Sequence, residues 1–290
     1  MANKGSTRLS RQESDAIINN TNLGLNRIME VINRLTDKRY GCPWDQIQTN
    51  QSLAQHTIEE AYEVDEAIRK KDFGELKEEL GDLLLQVVFH SQIAGELGLF
   101  DFDQVAMGVC EKMISRHPHV FQKDVVKDIH SQGVSWELHK AEERKQKSAD
   151  RGGQSGALDD VALALPALMR AQKLSKRAAQ VGFDLQNSTI AWEKVEEEIC
   201  EIKDEFESKE STPQSLQEEL GDLLFALCNW ARKSGLDAEV ALRNANSKFI
   251  HRFGYVECKV NSSGELWEQF SMEDLIKFWN ENKEDRKLFK

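Results

Sequence analysis

Leu-Lys-Glu-Glu-Leu-Gly-Asp-Leu-Leu-Leu-Gln-Val at residues 76–87 returns as Leu-Gln-Glu-Glu-Leu-Gly-Asp-Leu-Leu-Phe-Ala-Leu at residues 216–227, so one acidic segment is written twice. Each copy has an acidic partner upstream: Glu59-Glu60-Ala61-Tyr62-Glu63 before the first and Glu197-Glu198-Ile199-Cys200-Glu201 before the second. Both halves therefore read Glu-Glu-x-x-Glu, an intervening stretch, then Glu-x-x-Asp. Residues three or four positions apart share a helix face, so Glu60 with Glu63, and Glu79 with Asp82, project as pairs. Residues 64–78 are enough to finish one helix, turn, and start an antiparallel second. Four carboxylates can then meet across the gap, and Glu198, Glu201, Glu219 and Asp222 repeat the arrangement.

Asp82 and Asp222 lie inside apolar runs, with Leu80, Leu83, Leu84 and Leu85 around one and Leu220, Leu223, Leu224 and Phe225 around the other. Such a helix is expected to be buried on most faces. Several buried carboxylates repel one another unless they are protonated or neutralised by a cation. Oxygen ligands without accompanying cysteine or histidine favour Mg²⁺, with Mn²⁺ as a substitute, over zinc. Each cluster is read as a magnesium site. A lone acidic stretch is usually a solvated helix face; the duplication and the leucine setting weigh against that here. A di-iron bundle would call for Glu-x-x-His on two helices, and none of the seven histidines has a glutamate three positions before it.

The rest of the composition fits a helical protein. Of the 290 residues 40% are apolar, enough for a sizeable core, and only four prolines interrupt the chain. Leu, Glu, Lys and Ala recur with a period near 3.6, and no sustained alternation suggests a large sheet. The fold class expected is all-α. Five cysteines without a Cys-x-x-Cys pair indicate neither a zinc site nor a disulfide framework, which suits the cytoplasm. No apolar run is long enough to span a bilayer. A net charge of −12 disfavours a broad nucleic-acid surface.

Ser148 to Asp160 is rich in Gly, Ser and charge and reads as a hinge. The expected organisation is a disordered tail over 1–23, a first repeat over 24–147, a linker over 148–162 and a second repeat over 163–290. Further landmarks recur in register. Lys112 and Arg116 match Lys248 and Arg252, and Trp136 and Lys140 match Trp279 and Lys283, each pair four residues apart. Magnesium held by carboxylates commonly meets phosphate oxygens, lysine and arginine neutralise the remaining phosphate charge, and an indole offers a face for a base. Together these groups point to a nucleoside polyphosphate as substrate.

With Gly41-Cys42-Pro43-Trp44-Asp45, Arg116-His117-Pro118-His119-Val120-Phe121 and Leu165-Pro166-Ala167-Leu168-Met169-Arg170-Ala171-Gln172-Lys173 added to the carboxylates, the chain over about 24–290 resembles the MazG family of the all-α NTP pyrophosphatase superfamily. The resemblance implies a tandem duplication of a MazG-type helical domain, assembled as a homodimer. It also implies Mg²⁺-dependent hydrolysis of NTP and dNTP to the nucleoside monophosphate and pyrophosphate. On matching positions, Glu198, Glu201, Glu219 and Asp222 would be metal ligands in the second repeat, and Glu60, Glu63, Glu79 and Asp82 in the first. Glu197 and Glu59 would orient or deprotonate the attacking water. Lys194 stands where the family places a phosphate-contacting lysine, whereas the first repeat has His56, so the second repeat is favoured as the main active site. One departure is Pro213-Gln214-Ser215, where related second repeats can carry a lysine. The alternative is a nucleotide-binding regulatory module with little turnover.

Overall fold

The computed structural model describes residues 9–121 and 156–288, and all regular structure among them is helical, with no strand. The chain divides into two compact units, Met1–Glu143 and Arg144–Lys290.

In the first unit, α1 (Arg11–Ile18) and α2 (Gly24–Leu35) precede a long antiparallel pair, α3 (Asn50–Lys70) and α4 (Phe73–Glu96), followed by α5 (Phe102–Arg116) and the short α6 (Pro118–Phe121). The reversal between α3 and α4 takes two residues. Lys71 stops α3 in the left-handed conformation at φ 57°, and the Asp72 carboxylate accepts from the amides of Gly74 and Glu75 at 2.9 and 3.0 Å, capping α4. α3 itself starts from a reciprocal cap in which Thr49 and Ser52 satisfy each other's amides. Behind this hairpin, Ile32 of α2, Leu53 of α3, and Val88 and Phe89 of α4 form a buried cluster, each worth roughly 1.5–3 kcal/mol of burial.

The second unit repeats the plan with α7 (Ala167–Gln180), the antiparallel pair α8 (Ser188–Glu207) and α9 (Pro213–Lys233), then α10 (Ala238–Ser263) and α11 (Met272–Leu288). Pro213 sits at the first helical position of α9 behind a Thr212 and Ser215 cap. Two ties fix α7 against the hairpin. The Gln172 amide donates to the carbonyls of Leu236 and Cys228 and its oxygen accepts from Ala238 N–H, locking α7 to the α9–α10 junction. That clamp gives the Leu165–Lys173 string a structural role. After α7, Asp184 pairs with Arg232 at 2.5 Å and Lys233 at 2.6 Å at the end of α9.

Two expectations are corrected. The 1–23 stretch carries α1, started by a Ser10 and Glu13 capping box and pinned to α2 by Arg34, which bonds Asp15 and Ser14, and by Arg27, which bonds the Ile18 carbonyl. Local polarity masked it, because its anchors lie 9–20 residues away in sequence. Asp82 and Asp222 are exposed, and so are Leu80, Leu84, Leu220, Leu224 and Phe225. The partner helix of the hairpin and α2 or α7 cover only part of α4 and α9, and one apolar face of each remains open. Trp136, Lys140 and most of the expected 148–162 linker lie outside the described residues.

Burial pushes the Asp184 carboxyl up, but hydrogen bonds from Lys233 and Arg232 outweigh it and hold the group below its ordinary range. A depressed carboxylate contributes stability above its unfolded pKa of about 3.9 and loses it as pH falls through the folded value. Asp184→Asn should therefore cost about 1–3 kcal/mol at neutral pH, for a pair neither fully exposed nor fully buried. The difference from the parent protein should shrink below about pH 4. Urea unfolding followed by far-UV circular dichroism at both pH values measures it.

Candidate metal centres

In the first unit, α3 supplies Glu60 and α4 supplies Glu79 and Asp82, and one carboxylate oxygen from each lies within 4.8 Å of the others. Glu63, one turn beyond Glu60, adds its negative charge to the group and repels both Glu60 and Glu79. Burial, then Asp82, Glu63 and Glu79, push the Glu60 carboxyl above its ordinary value; burial, then Glu63 and Asp82, do the same to Glu79. Among the described residues no ion pair brings a cation to these four side chains. Glu59 turns aside, accepting from Gln55 at 3.2 Å and meeting His56 Nδ1 at 3.1 Å.

In the second unit the converging trio is Glu198 and Glu201 of α8 with Glu219 of α9, again within 4.8 Å. Asp222 is exposed and falls outside this trio, as Glu63 falls outside the first. The side chain of Glu198 is only 8% exposed, and its Oε2 is buried without a hydrogen-bond partner. Lys194 Nζ reaches Glu197 at 2.9 Å and Glu198 Oε1 at 3.0 Å. Those bonds push the lysine well above its usual pKa, so it is fully charged. Burial and then Glu198 raise Glu201, against the lowering effect of Lys194.

A divalent cation fits these residues. An unpartnered buried carboxylate oxygen is costly, Glu198 Oε2 is one, and two further carboxylates converge beside it. The donor set is all oxygen, the preference of Mg²⁺ and Mn²⁺. Lys194 satisfies Oε1 of Glu198 and leaves Oε2 open, so the lysine does not substitute for the ion.

Apart from Lys194, the expected substrate-contacting groups among the described residues lie on the helices that follow each hairpin. Lys112 and Arg116 lie on α5, Arg116 closing it. Lys248 and Arg252 lie on α10, and the Arg252 guanidinium sits 5.6 Å from the centre of the Trp279 ring on α11. Lys283 is also on α11. Among the described residues no hydrogen bond or ion pair joins Lys112, Lys248 or Arg252 to the carboxylates. Around Arg252 the structure adds three aromatics that sequence reasoning passed over. Phe249 stacks on Phe253 at 6.0 Å and Phe253 on Trp267 at 5.8 Å, while Phe249 also meets Trp279 at 5.2 Å. The four-residue spacing of Phe249 and Phe253 was the available signal.

The MazG nucleotide pyrophosphohydrolase domain matches residues 48–121 and 186–256, one match over each hairpin. The chain is 44% identical over 259 residues to a nucleoside triphosphate pyrophosphohydrolase of Escherichia coli (strain K12), covering 89% of this chain and 97% of that protein. It is 43% identical over 246 residues to the nucleoside triphosphate pyrophosphohydrolase/pyrophosphatase MazG of Thermotoga maritima, covering 84% and 89%. It is also 45% identical over 245 residues to the uncharacterized protein YabN of Bacillus subtilis (strain 168), there covering 84% of this chain and 48% of the other. With a domain match on both duplicated hairpins and the E. coli and T. maritima relatives aligned over 97% and 89% of their length, the chain belongs to the MazG nucleotide pyrophosphohydrolase family.

Proposed function

We propose that the chain is an enzyme that hydrolyses nucleoside and deoxynucleoside triphosphates to the monophosphate and pyrophosphate, with magnesium at the carboxylate centres and the second repeat as the main active site. The observation that carries this reading is the open oxygen of buried Glu198 among converging carboxylates, with a charged lysine one turn away. The names of the E. coli and T. maritima relatives give the reaction class.

Glu198, Glu201 and Glu219 would hold the ion in the second repeat, with Asp222 one turn beyond Glu219; Glu60, Glu79 and Asp82, with Glu63, would do so in the first. A magnesium ion held there would supply acidity to water and offset charge on the phosphates. Lys194 turns from Glu197 to a phosphate oxygen as the triphosphate enters. Glu197 then accepts the proton of the attacking water as its oxygen bonds to phosphorus, and the phosphorus–oxygen bond to pyrophosphate breaks. Arg252, Lys248 and Lys283 supply further positive charge, with Trp279 as a face for the base. Lys112, Arg116, Trp136 and Lys140 are their counterparts in the first repeat.

We further propose a homodimer. The exposed Leu80, Leu84, Leu220, Leu224 and Phe225 border the carboxylates, and a second copy would cover them and dry the site. No helix among the described residues is long and apolar enough to cross a membrane. Five cysteines without a disulfide among them favour the cytoplasm as the working compartment.

Exhaustive chelation with EDTA should abolish hydrolysis, and Mg²⁺ or Mn²⁺ should restore it; undiminished turnover in EDTA would sink the metal assignment. Glu219→Gln should lower turnover by orders of magnitude with the helical circular dichroism spectrum unchanged. For the ranking of the repeats, kcat/KM on one nucleotide is compared across Glu198→Gln, Glu60→Gln and Lys194→Ala. A lysine hydrogen bond to phosphate is worth about 1.5–3 kcal/mol, roughly 10- to 150-fold in rate. Glu198→Gln should cost more than Glu60→Gln, and Lys194→Ala should fall in that range. Equal losses at Glu60 and Glu198 would make the first repeat an equal catalyst.

A further inference from the structure

A cavity of about 490 Å³ opens in the first unit between α1, the C-terminal half of α2 and the segment 37–40. Its volume is within the range of small-molecule sites. It lies away from the carboxylates. Lys38 on its wall meets Glu96, the last residue of α4, at 3.8 Å, and Glu96 is 14 residues, about 21 Å of helix, beyond Asp82. Residues 11–40 also precede both stretches matched by the family's domain. No helix corresponding to α1 stands before α7 among the described residues of the second unit.

The wall is held by groups that satisfy one another. Arg34 is committed to Asp15 and Ser14, Glu30 accepts from Asn33, and the Asp37 carboxylate accepts from the amides of Arg39 and Tyr40. Gln46 bonds the Asp37 carbonyl, and the Gly41 amide bonds it too. A side chain at Gly41 would collide with backbone oxygens at 2.3 and 2.6 Å, so only glycine permits this packing of the loop. Two cations then remain unpaired on the lining: the guanidinium groups of Arg11 and Arg39 make no hydrogen bond or ion pair among the described residues, whereas Lys38 is shared between the Gln46 carbonyl and Glu96. Tyr40, 78% exposed, is among the residues that line the same cavity.

We propose that this cavity is a second, metal-independent site that takes a phosphoryl oxyanion of a small molecule. Two forked guanidiniums match the paired oxygens of phosphoryl groups. The two unpaired guanidiniums, with Lys38 beside them, suit a ligand with more than one negative charge, and the chain is otherwise acidic, at −12. Tyr40 offers a face to a planar ring if the phosphoryl group belongs to a nucleotide.

Isothermal titration of the full chain in EDTA tests the site, because without metal the carboxylate centres repel phosphates. Inorganic pyrophosphate, ATP and adenosine are the probes. Expected is one binding event per chain for pyrophosphate and ATP and none for adenosine. The Arg11→Gln/Arg39→Gln double variant should bind about tenfold or more weakly, whereas Lys194→Ala and Glu198→Gln should bind as the parent does. Tighter binding of ATP than of pyrophosphate, lost in Tyr40→Ala, identifies a nucleotide as the ligand; equal binding identifies the inorganic ion. The proposal is overturned by absence of binding at millimolar probe, by undiminished binding in the folded double-arginine variant, or by loss of binding in Lys194→Ala.

Discussion

Mutual repulsion of carboxylates is the constraint on which the rest of this molecule depends. Each antiparallel hairpin brings one oxygen from each of three acidic side chains to within 4.8 Å of the others, and no group among the described residues fully offsets them. Burial first and then this repulsion push the Glu60 and Glu79 carboxyls up in the first unit and Glu201 in the second, where an oxygen of Glu198 is also buried without a partner. Such a cluster survives only if the surrounding helices refuse to splay. The Lys71–Asp72 reversal, the Thr212 cap, the Gln172 clamp and the Asp184 ion pairs supply that rigidity. A divalent cation bound there would relieve that repulsion, so stability given up in the bare protein would reappear as affinity for the ion.

The two copies have diverged around this shared centre. Where α8 has Lys194 bonded to Glu197 and Glu198, α3 has His56 bonded to Glu59 alone. In the register set by the duplicated segments, Gln86 and His90 of α4 stand where α9 has Ala226 and Trp230. His90 hydrogen bonds Thr57 and Asn50 across the first hairpin at 2.9 Å each, whereas Trp230 meets Trp192 edge-on at 5.0 Å in the second. One hairpin is thus braced by polar groups beneath its carboxylates and the other by indoles.

Much of this was legible before any coordinates. Helical periodicity, a connection over 64–78 long enough for a turn, and the Glu-x-x-Glu and Glu-x-x-Asp spacings point to the hairpins and most of the clusters, because all of them are local properties of a helix. The exposure of Asp82 and Asp222 was not legible: leucines around an aspartate imply a covering surface without saying whether the same chain provides it. Nor could spacing reveal that Lys194 spends its charge on two glutamates. α1 was missed because its stability comes from Arg27 and Arg34, far along the chain. The stack of Phe249, Phe253 and Trp267 joins α10 to the turn after it, a tertiary arrangement for which spacing gave only half the signal.

The most direct measurement is a Mn²⁺ titration of the full chain read by electron paramagnetic resonance, in which free Mn²⁺ is observed and bound ions are subtracted. If the duplicated carboxylates are two cation centres, the parent chain binds Mn²⁺ in two sets of sites, Glu60→Gln/Glu79→Gln removes one, Glu198→Gln/Glu219→Gln removes the other, and the combined variant retains neither. Mn²⁺ binding that is unchanged in both double variants, with their helical fold intact, would contradict the assignment of these residues as the metal centres.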